Sequence, residues 1–355
     1  MGWSNAGSGS YGSAASSERA QELAESLQSR FESRWDLSRV GDTLSWAPRR
    51  KVSSSAKKKT SVVLLGRSLE SFWRQAGFAH PPLLPVTAPY KTDFIVSGVQ
   101  GLDPWLISPP REPLRQGYLG QPVVRNIRDS TKPLVDGSLS AFVNASVIGT
   151  DTSISCYVNL LDDWLECLST LGVHTGRLRL ETRLLPWRRE DVAGLTTFMR
   201  LDGKDFCDSS LMWNVRSPER LAYDSGTGVE RLHWLLSGKS WHESVFGIGT
   251  TREAADVRDA IRAYVLLYST GAVGRRRGGA TIARLISRVP LEIALWGLNR
   301  AVAVECRFWE QFGVPTIAAS IISSHLEEAV IRFDESRRSD AVGRGQRLQL
   351  RHPLS

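Results

Sequence analysis

The feature that most constrains this chain is a change of periodicity near residue 250. Before it, strand-like and helix-like runs mix. "TGRLRLETRLL" alternates as a half-buried strand does, while "QPVVRNIR", "SAFVNASVIGTD", "DFIVSG" and "SSLMWNVR" are short apolar runs of strand length. Between them, "RSLESFWRQAGFAHPP" and "LDDWLECLSTLGV" carry helical spacing, the first closed by glycine and prolines. From about Ala254 only helical spacing remains. "ADVRDAIRAYVLLYSTGAV" puts Val257, Ile261, Val265 and Tyr268 on one stripe, and further amphipathic runs follow. Mixed elements followed by helices alone predict an α+β domain over residues 61–250 with a helical domain over 251–338. Residues 1–60 are expected to be a flexible, partly helical extension, with Ser17 capping a helix that carries Leu23, Leu27 and Phe31 on one face. Residues 339–355 are polar and basic and are expected to form a loose tail.

Composition narrows the function classes. The 45 Lys and Arg exceed the 37 Asp and Glu, for a net charge of +8. That excess suits an anionic ligand such as a nucleotide or RNA, and equally a basic tail alone. "APRRKVSSSAKKKTS" reads as a solvated linker or as an RNA-binding arm. No apolar run approaches the about 18 residues of a membrane span, so no membrane partner is expected. The N-terminus lacks a basic start and an apolar core, so it is not a secretory signal. Cys156, Cys167, Cys207 and Cys306 show no paired spacing, as expected of reduced thiols in a cytoplasmic protein, and no His/Cys cluster has the spacing of a metal site.

Three stretches can carry chemistry. In "VVRNIRDSTK" an apolar strand runs into Arg128, with Lys132 four residues on; an arginine at a strand end can fork onto a phosphate, or simply be a surface residue. In "YDSGTGVERLHWLL" Asp224 precedes two glycines, and Arg231 stands in the first turn of a helix. A fixed arginine beside helix N-terminal amides makes an anion site, and Asp224 can face an ammonium. The same letters also suit a plain helix cap. "VGRRRGGA" is either a phosphate contact or a basic loop.

In order along the chain, these stretches resemble the class II aminoacyl-tRNA synthetase core, and within it the alanyl-tRNA synthetase family. "RSLESFWRQAGFAH" is similar to that family's first catalytic helix, "DFIVSGVQGLDPWL" to its strand and loop beneath the adenylate, and "VVRNIRDSTK" to its second motif. "SLMWNVR" followed by "DSGTGVERL" resembles the substrate strand and third motif, and "DAIRAYVLLYSTGAV" the start of the tRNA-recognition domain. The likeness runs from about Arg67 to Arg288. It implies an antiparallel sheet flanked by helices, followed by a helical domain. It also implies that Arg128 holds the ATP α-phosphate, Arg231 the γ-phosphate and Asp224 the substrate ammonium. Asn214 and Gly226 would border the amino-acid pocket, Lys132 would assist near the phosphates or carboxylate, and Mg²⁺ would accompany ATP.

The departures shape the expected function. "PLVDGSLS" replaces the polar loop after Lys132, and Val143 or Asn144 stands where an acid is expected. Ser209 occupies an apolar pocket position, so the amino acid is alanine-like or small but need not be alanine. Up to Ser355 no editing domain with paired histidine ligands follows. The expectation is ATP-dependent aminoacyl-adenylate formation, with transfer to a small-molecule or carrier acceptor in a biosynthetic pathway. The alternatives are a minimal synthetase that charges tRNA, and a non-catalytic relative that binds nucleotide or RNA.

Overall fold

A computed structural model describes residues 14–49, 60–87, 92–107, 111–125, 127, 131–132, 134–274 and 278–349, the side chains of 14, 15, 296 and 340–349 excepted. The chain divides into two compact units. One comprises Met1–Leu84, Val96–Pro122 and Val143–Ser240; the other comprises Pro85–Ile95, Val123–Phe142 and Trp241–Ser355.

The first unit carries α1 (Ala14–Phe31), β1 (Trp35–Val40), β2 (Thr43–Pro48), α2 (Val62–Gln75) and the single-turn α3 (Asp103–Leu106). There follow β3 (Gly117–Val124), β4 (Ala141–Thr150), α4 (Ile154–Thr170), β5 (Leu178–Arg189), β6 (Val192–Leu201), β7 (Lys204–Asn214), β8 (Ser217–Gly228) and α5 (Val229–Ser237). The strands form one eight-stranded sheet in the order β1-β2-β5-β6-β7-β8-β4-β3, antiparallel from β1 through β8 to β4. The fold class is therefore α+β.

Register assigns the two faces, because side chains alternate along a strand. One face is apolar under α1 and α4. Leu23, Leu27 and Phe31 of α1 are fully buried there, with Tyr157, Leu161 and Trp164 of α4. The other face is covered at one end by a 3₁₀ turn (Gly98–Leu102) and α3. There Val99, Leu102, Trp105 and Leu106 pack on Leu119, Ile148, Met212 and Ala222. Apart from Phe198, the part of that second face formed by the middle of β5, β6, β7 and β8 is polar.

The second unit is mostly helical: α6 (Trp241–Phe246), α7 (Arg252–Ser269), α8 (Gly279–Ile286), α9 (Leu291–Trp296), α10 (Leu298–Glu310) and α11 (Ala319–Gln349). Two buried ionic clusters hold it. Asp259 accepts from Ser140 N and Oγ, both at 2.7 Å, and from Arg288 at 2.8 Å. Glu305 is clasped by Arg258 and Arg262, each at 2.7 Å. Among the described residues, no helix is long and apolar enough to cross a membrane.

Several expectations change. Residues 14–49, expected as part of a flexible extension, are built into the sheet unit: α1 packs against α4 and β5, and β2 of the β1–β2 hairpin pairs with β5. Trp35 and Trp46 are the reason, both buried with Phe31. "DFIVSG" is buried but makes only one isolated bridge, Thr87 to Phe94, before turning into the 3₁₀ segment. The expected loose tail instead continues α11 as far as Gln349.

Candidate functional site

The stretch "DSGTG" is the end of β8 rather than a hinge, and α5 follows it at Val229 without a loop. Gly228 stands at the N-cap of α5 and no side chain caps the helix. Thr227 Oγ1 donates instead to Phe206 O at 2.6 Å. Neither Asp224 nor Thr227 is thus a helix cap, and the capping reading falls away.

The register brings a set of polar side chains to one face around Asp224. Asp224 lies opposite Ser210 on β7 and Ile148 on β4, and Gly226 lies opposite Asp208 and Ser146. On β6, Thr196 lies opposite Ser210, and Phe198 opposite Asp208. On β5, Arg183 and Glu181 continue the row. One face of four neighbouring strands thus carries Asp224, Ser210, Asp208, Thr196, Arg183 and Glu181. Two hydrogen bonds knit it: Trp187 Nε1 donates to Thr196 Oγ1 at 2.9 Å, and the Thr196 and Ser210 hydroxyls are hydrogen-bonded at 2.7 Å.

Arg231 sits in the first turn of α5, half-buried. Burial pulls its guanidinium below the ordinary arginine value, and Asp208 and Asp205 push it back up. The cation is therefore partly withdrawn from water beside the acidic face, where its charge acts through a low dielectric. Its direction is set by its neighbour. Glu230, 1% exposed, accepts from Val143 N at 3.1 and 3.3 Å, which pins the start of α5 to β4. The N-terminal end of the α5 dipole adds a positive end to the same helix turn.

The glycines and Asn144 do something other than leave room for a ligand. A Cβ on Gly226 would lie 2.7 Å from Ser146 Oγ, and one on Gly98 2.6 Å from Ser146 Cβ. Gly98 lets the 3₁₀ turn close down on the sheet, and Gly226 makes room for the Ser146 and Asn144 side chains of the neighbouring strand. Asn144 Oδ1 accepts from Ser97 Oγ (3.0 Å), Gly98 N (2.9 Å) and Ser146 Oγ (3.0 Å), so the residue in the expected acid's place is a structural knot. Gly226 therefore borders the face without forming an open pocket.

Two expected pocket residues lie elsewhere. Asn214 is four residues down β7 from Ser210, about 13 Å at strand rise. Its Nδ2 donates to Leu106 O at 2.7 Å and its Oδ1 accepts from Arg216 N at 2.8 Å, so its amide is spent on backbone. Ser209 points to the opposite face, where Tyr157 Oη donates to its carbonyl at 2.8 Å. The hydroxyl beside Asp224 belongs to Ser210, one position on, because one residue of register reverses the face. Lys132 is exposed and belongs to the other compact unit. Arg128 lies outside the described residues, as do the arginines of "VGRRRGGA".

Sequence reasoning missed Asp208, Ser210, Thr196 and Trp187. The signal for the first two was present in "DFCDSSLMW", where acid and hydroxyl fall two apart in a strand pattern, but only the register tells which face they take. Among the described residues, no group of three or more His, Cys, Asp or Glu is placed to hold a metal. No protein-family model matches the chain, and no curated protein matches it.

Proposed function

We propose that this face activates an amino acid with ATP, forming an aminoacyl adenylate and pyrophosphate. The observation that carries the reading is Asp224 with its hydroxyl neighbours on one sheet face, and Arg231 in the first turn of α5 under the charge of Asp208 from that face. The resemblance of "DSGTGVERL" to the third motif of the alanyl-tRNA synthetase family supports it independently. Asp224 supplies the anion for a substrate ammonium. Arg231 and the α5 amides supply the cation for phosphate oxygens. The two signs on neighbouring strand and helix suit a ligand pair in which an ammonium lies near a polyphosphate.

The chemistry asks for positioning and charge. The substrate carboxylate oxygen attacks the α-phosphorus, a new O–P bond forms, and the bond to the β-phosphate oxygen breaks as pyrophosphate leaves. Arg231 holds the leaving phosphates and offsets their charge; Asp224 fixes the nucleophile by its ammonium. Mg²⁺ accompanying ATP would offset phosphate charge, and Asp208, beside Asp224 on this face, would be the carboxylate to hold it. An alanine-like or small amino acid suits the covered face around Gly226.

The acceptor is a separate matter. Transfer to a small molecule or carrier is the preferred reading, and the helical second unit together with the basic stretch "APRRKVSSSAKKKTS" favours tRNA as the second. Incubating the protein with ATP, each amino acid in turn and total tRNA distinguishes them. Adenylate or exchange without charged tRNA supports the first reading; charged tRNA supports the second; no activation of any amino acid removes both.

A further inference from the structure

We propose that the groove between α1 and α4 binds a zwitterionic organic molecule of short-peptide size, its ammonium on Asp163 and Glu166 and its carboxylate on Arg34 and Arg49. The groove belongs to the sheet unit, and α4 packs on the sheet face opposite Asp224, so this site stands apart from the activating one. Its volume is about 780 Å³. That lies within the roughly 300–1,000 Å³ range of pockets that hold organic ligands. Side chains of both signs line it. Arg30 and Arg34 come from the end of α1 and the turn after it, Arg49 from just beyond β2, and Asp162, Asp163 and Glu166 from α4. Arg30 lies 2.7 Å from Asp162 Oδ2 and Arg34 2.7 Å from Oδ1. Two guanidiniums thus share one carboxylate, and one positive charge is left over.

Donors remain for a ligand carboxylate. A guanidinium carries five N–H donors. Among the described residues, Arg34 spends one of them on Asp162, and Arg49 spends one on Asp36 at 3.0 Å. Both side chains are about half exposed and can fork onto a carboxylate that enters the groove. The opposite charge is unspent too. Asp163 and Glu166 stand three apart on one helix and are neighbours, and Glu166 is four from Asp162. Neither the Asp163 nor the Glu166 carboxylate accepts a hydrogen bond or forms a salt bridge among the described residues. Burial, then Asp162 and Glu166, holds the Asp163 carboxyl above its ordinary value. Like charges set side by side on a helix cost stability, and a cation placed against them relieves that cost. The cation is an organic one: no group of three described His, Cys, Asp or Glu is placed to hold a metal, and Trp35 and Leu165, both buried, give the groove an apolar floor. An ammonium, an apolar body and a carboxylate are the parts of a short peptide with free ends.

The test uses trialanine as the probe. Its binding to the full chain is measured by calorimetry without ATP, beside N-acetyl-trialanine and trialanine amide, so the result does not depend on activation. Trialanine is expected to bind one to one. Blocking either end is expected to weaken binding at least about tenfold, the worth of one charged contact. Asp163→Asn/Glu166→Gln is expected to weaken trialanine by a like factor and to leave N-acetyl-trialanine unchanged. Arg34→Gln is expected to weaken trialanine and to leave its amide unchanged. Circular dichroism checks that each variant is folded. No saturable binding of trialanine, equal affinity for the blocked peptides, or undiminished affinity in the folded variants each overturns the proposal. If a variant does not fold, the two blocked peptides on the wild-type chain still decide it.

Discussion

At the scale of single residues, Arg231 is a cation drawn out of water and held beside two acids. Such a group is costly unless it serves either packing or an anion. Replacing it by alanine separates the two uses. Arg231→Ala is expected to cut activation by about 10²–10³ while circular dichroism and thermal unfolding stay close to wild type. Unfolding of that variant, rather than loss of activity in a folded one, would assign Arg231 to packing. Gly226 makes the opposite prediction. Its missing Cβ is required by Ser146 Oγ at 2.7 Å and Asn144 Nδ2 at 3.2 Å. Gly226→Ala is expected to destabilise by about 1–3 kcal/mol, and pairing it with Ser146→Gly to recover most of the loss. Chemical denaturation of the single and double variants checks this. No recovery would mean that the clash lies with the backbone of Ala145 instead.

At the scale of elements, the end of β8 and the start of α5 are one continuous piece, held by Glu230 on Val143 N. Glu230→Ala leaves that buried N–H without its acceptor and is expected to cost about 1–3 kcal/mol. It should also loosen Arg231, so that the ATP KM rises with the loss of stability; an unchanged ATP KM would separate the two. Helix α4 carries a pH dependence of its own. Burial, then Asp162 and Glu166, hold the Asp163 carboxyl above its ordinary value, against the pull of Arg30. The folded state therefore binds that proton more tightly than the unfolded chain. Stability from this group is present at low pH and is lost as pH rises from the ordinary carboxylate value through the raised one. Asp163→Asn is expected to flatten that loss in urea unfolding followed from acid to neutral pH; an unaltered slope would contradict it. Much of this level was legible in the letters. The alternation of "TGRLRLETRLL" gave β5 and the helical spacing of "RSLESFWRQAG" gave the second half of α2, while the cap of that helix by Ser61, at 3.2 Å, is seen in the structure. The glycines of "DSGTG" misled, because glycine in a strand reads as a break unless the close approach of neighbouring side chains is known.

At the scale of the molecule, sequence suggested a switch from mixed to helical structure near residue 250; the described elements from Trp241 onward are helices, while the second compact unit also takes in Pro85–Ile95 and Val123–Phe142. The sequence did not show that residues 14–48 complete the sheet, since a β1–β2 hairpin beside β5 is a long-range pairing with no local mark. Nor did it show the polar face: Asp224 and Arg231 were readable from one short motif, whereas Asp208, Ser210, Thr196 and Trp187 come together only through register. The helical unit rests on buried charge. Asp259 and the Arg288 side chain are both fully buried, so Arg288→Ala strands a carboxylate and is expected to cost about 3–5 kcal/mol, read by urea unfolding; a loss under about 1 kcal/mol would show that water reaches the site. The central claim is that the Asp224–Arg231 face forms an aminoacyl adenylate. Amino-acid-dependent exchange of labelled pyrophosphate into ATP tests it most directly. The account predicts exchange with at least one small amino acid in the wild type, and none above background in Arg231→Ala. Exchange with no amino acid, or full exchange in a folded Arg231→Ala, would contradict it.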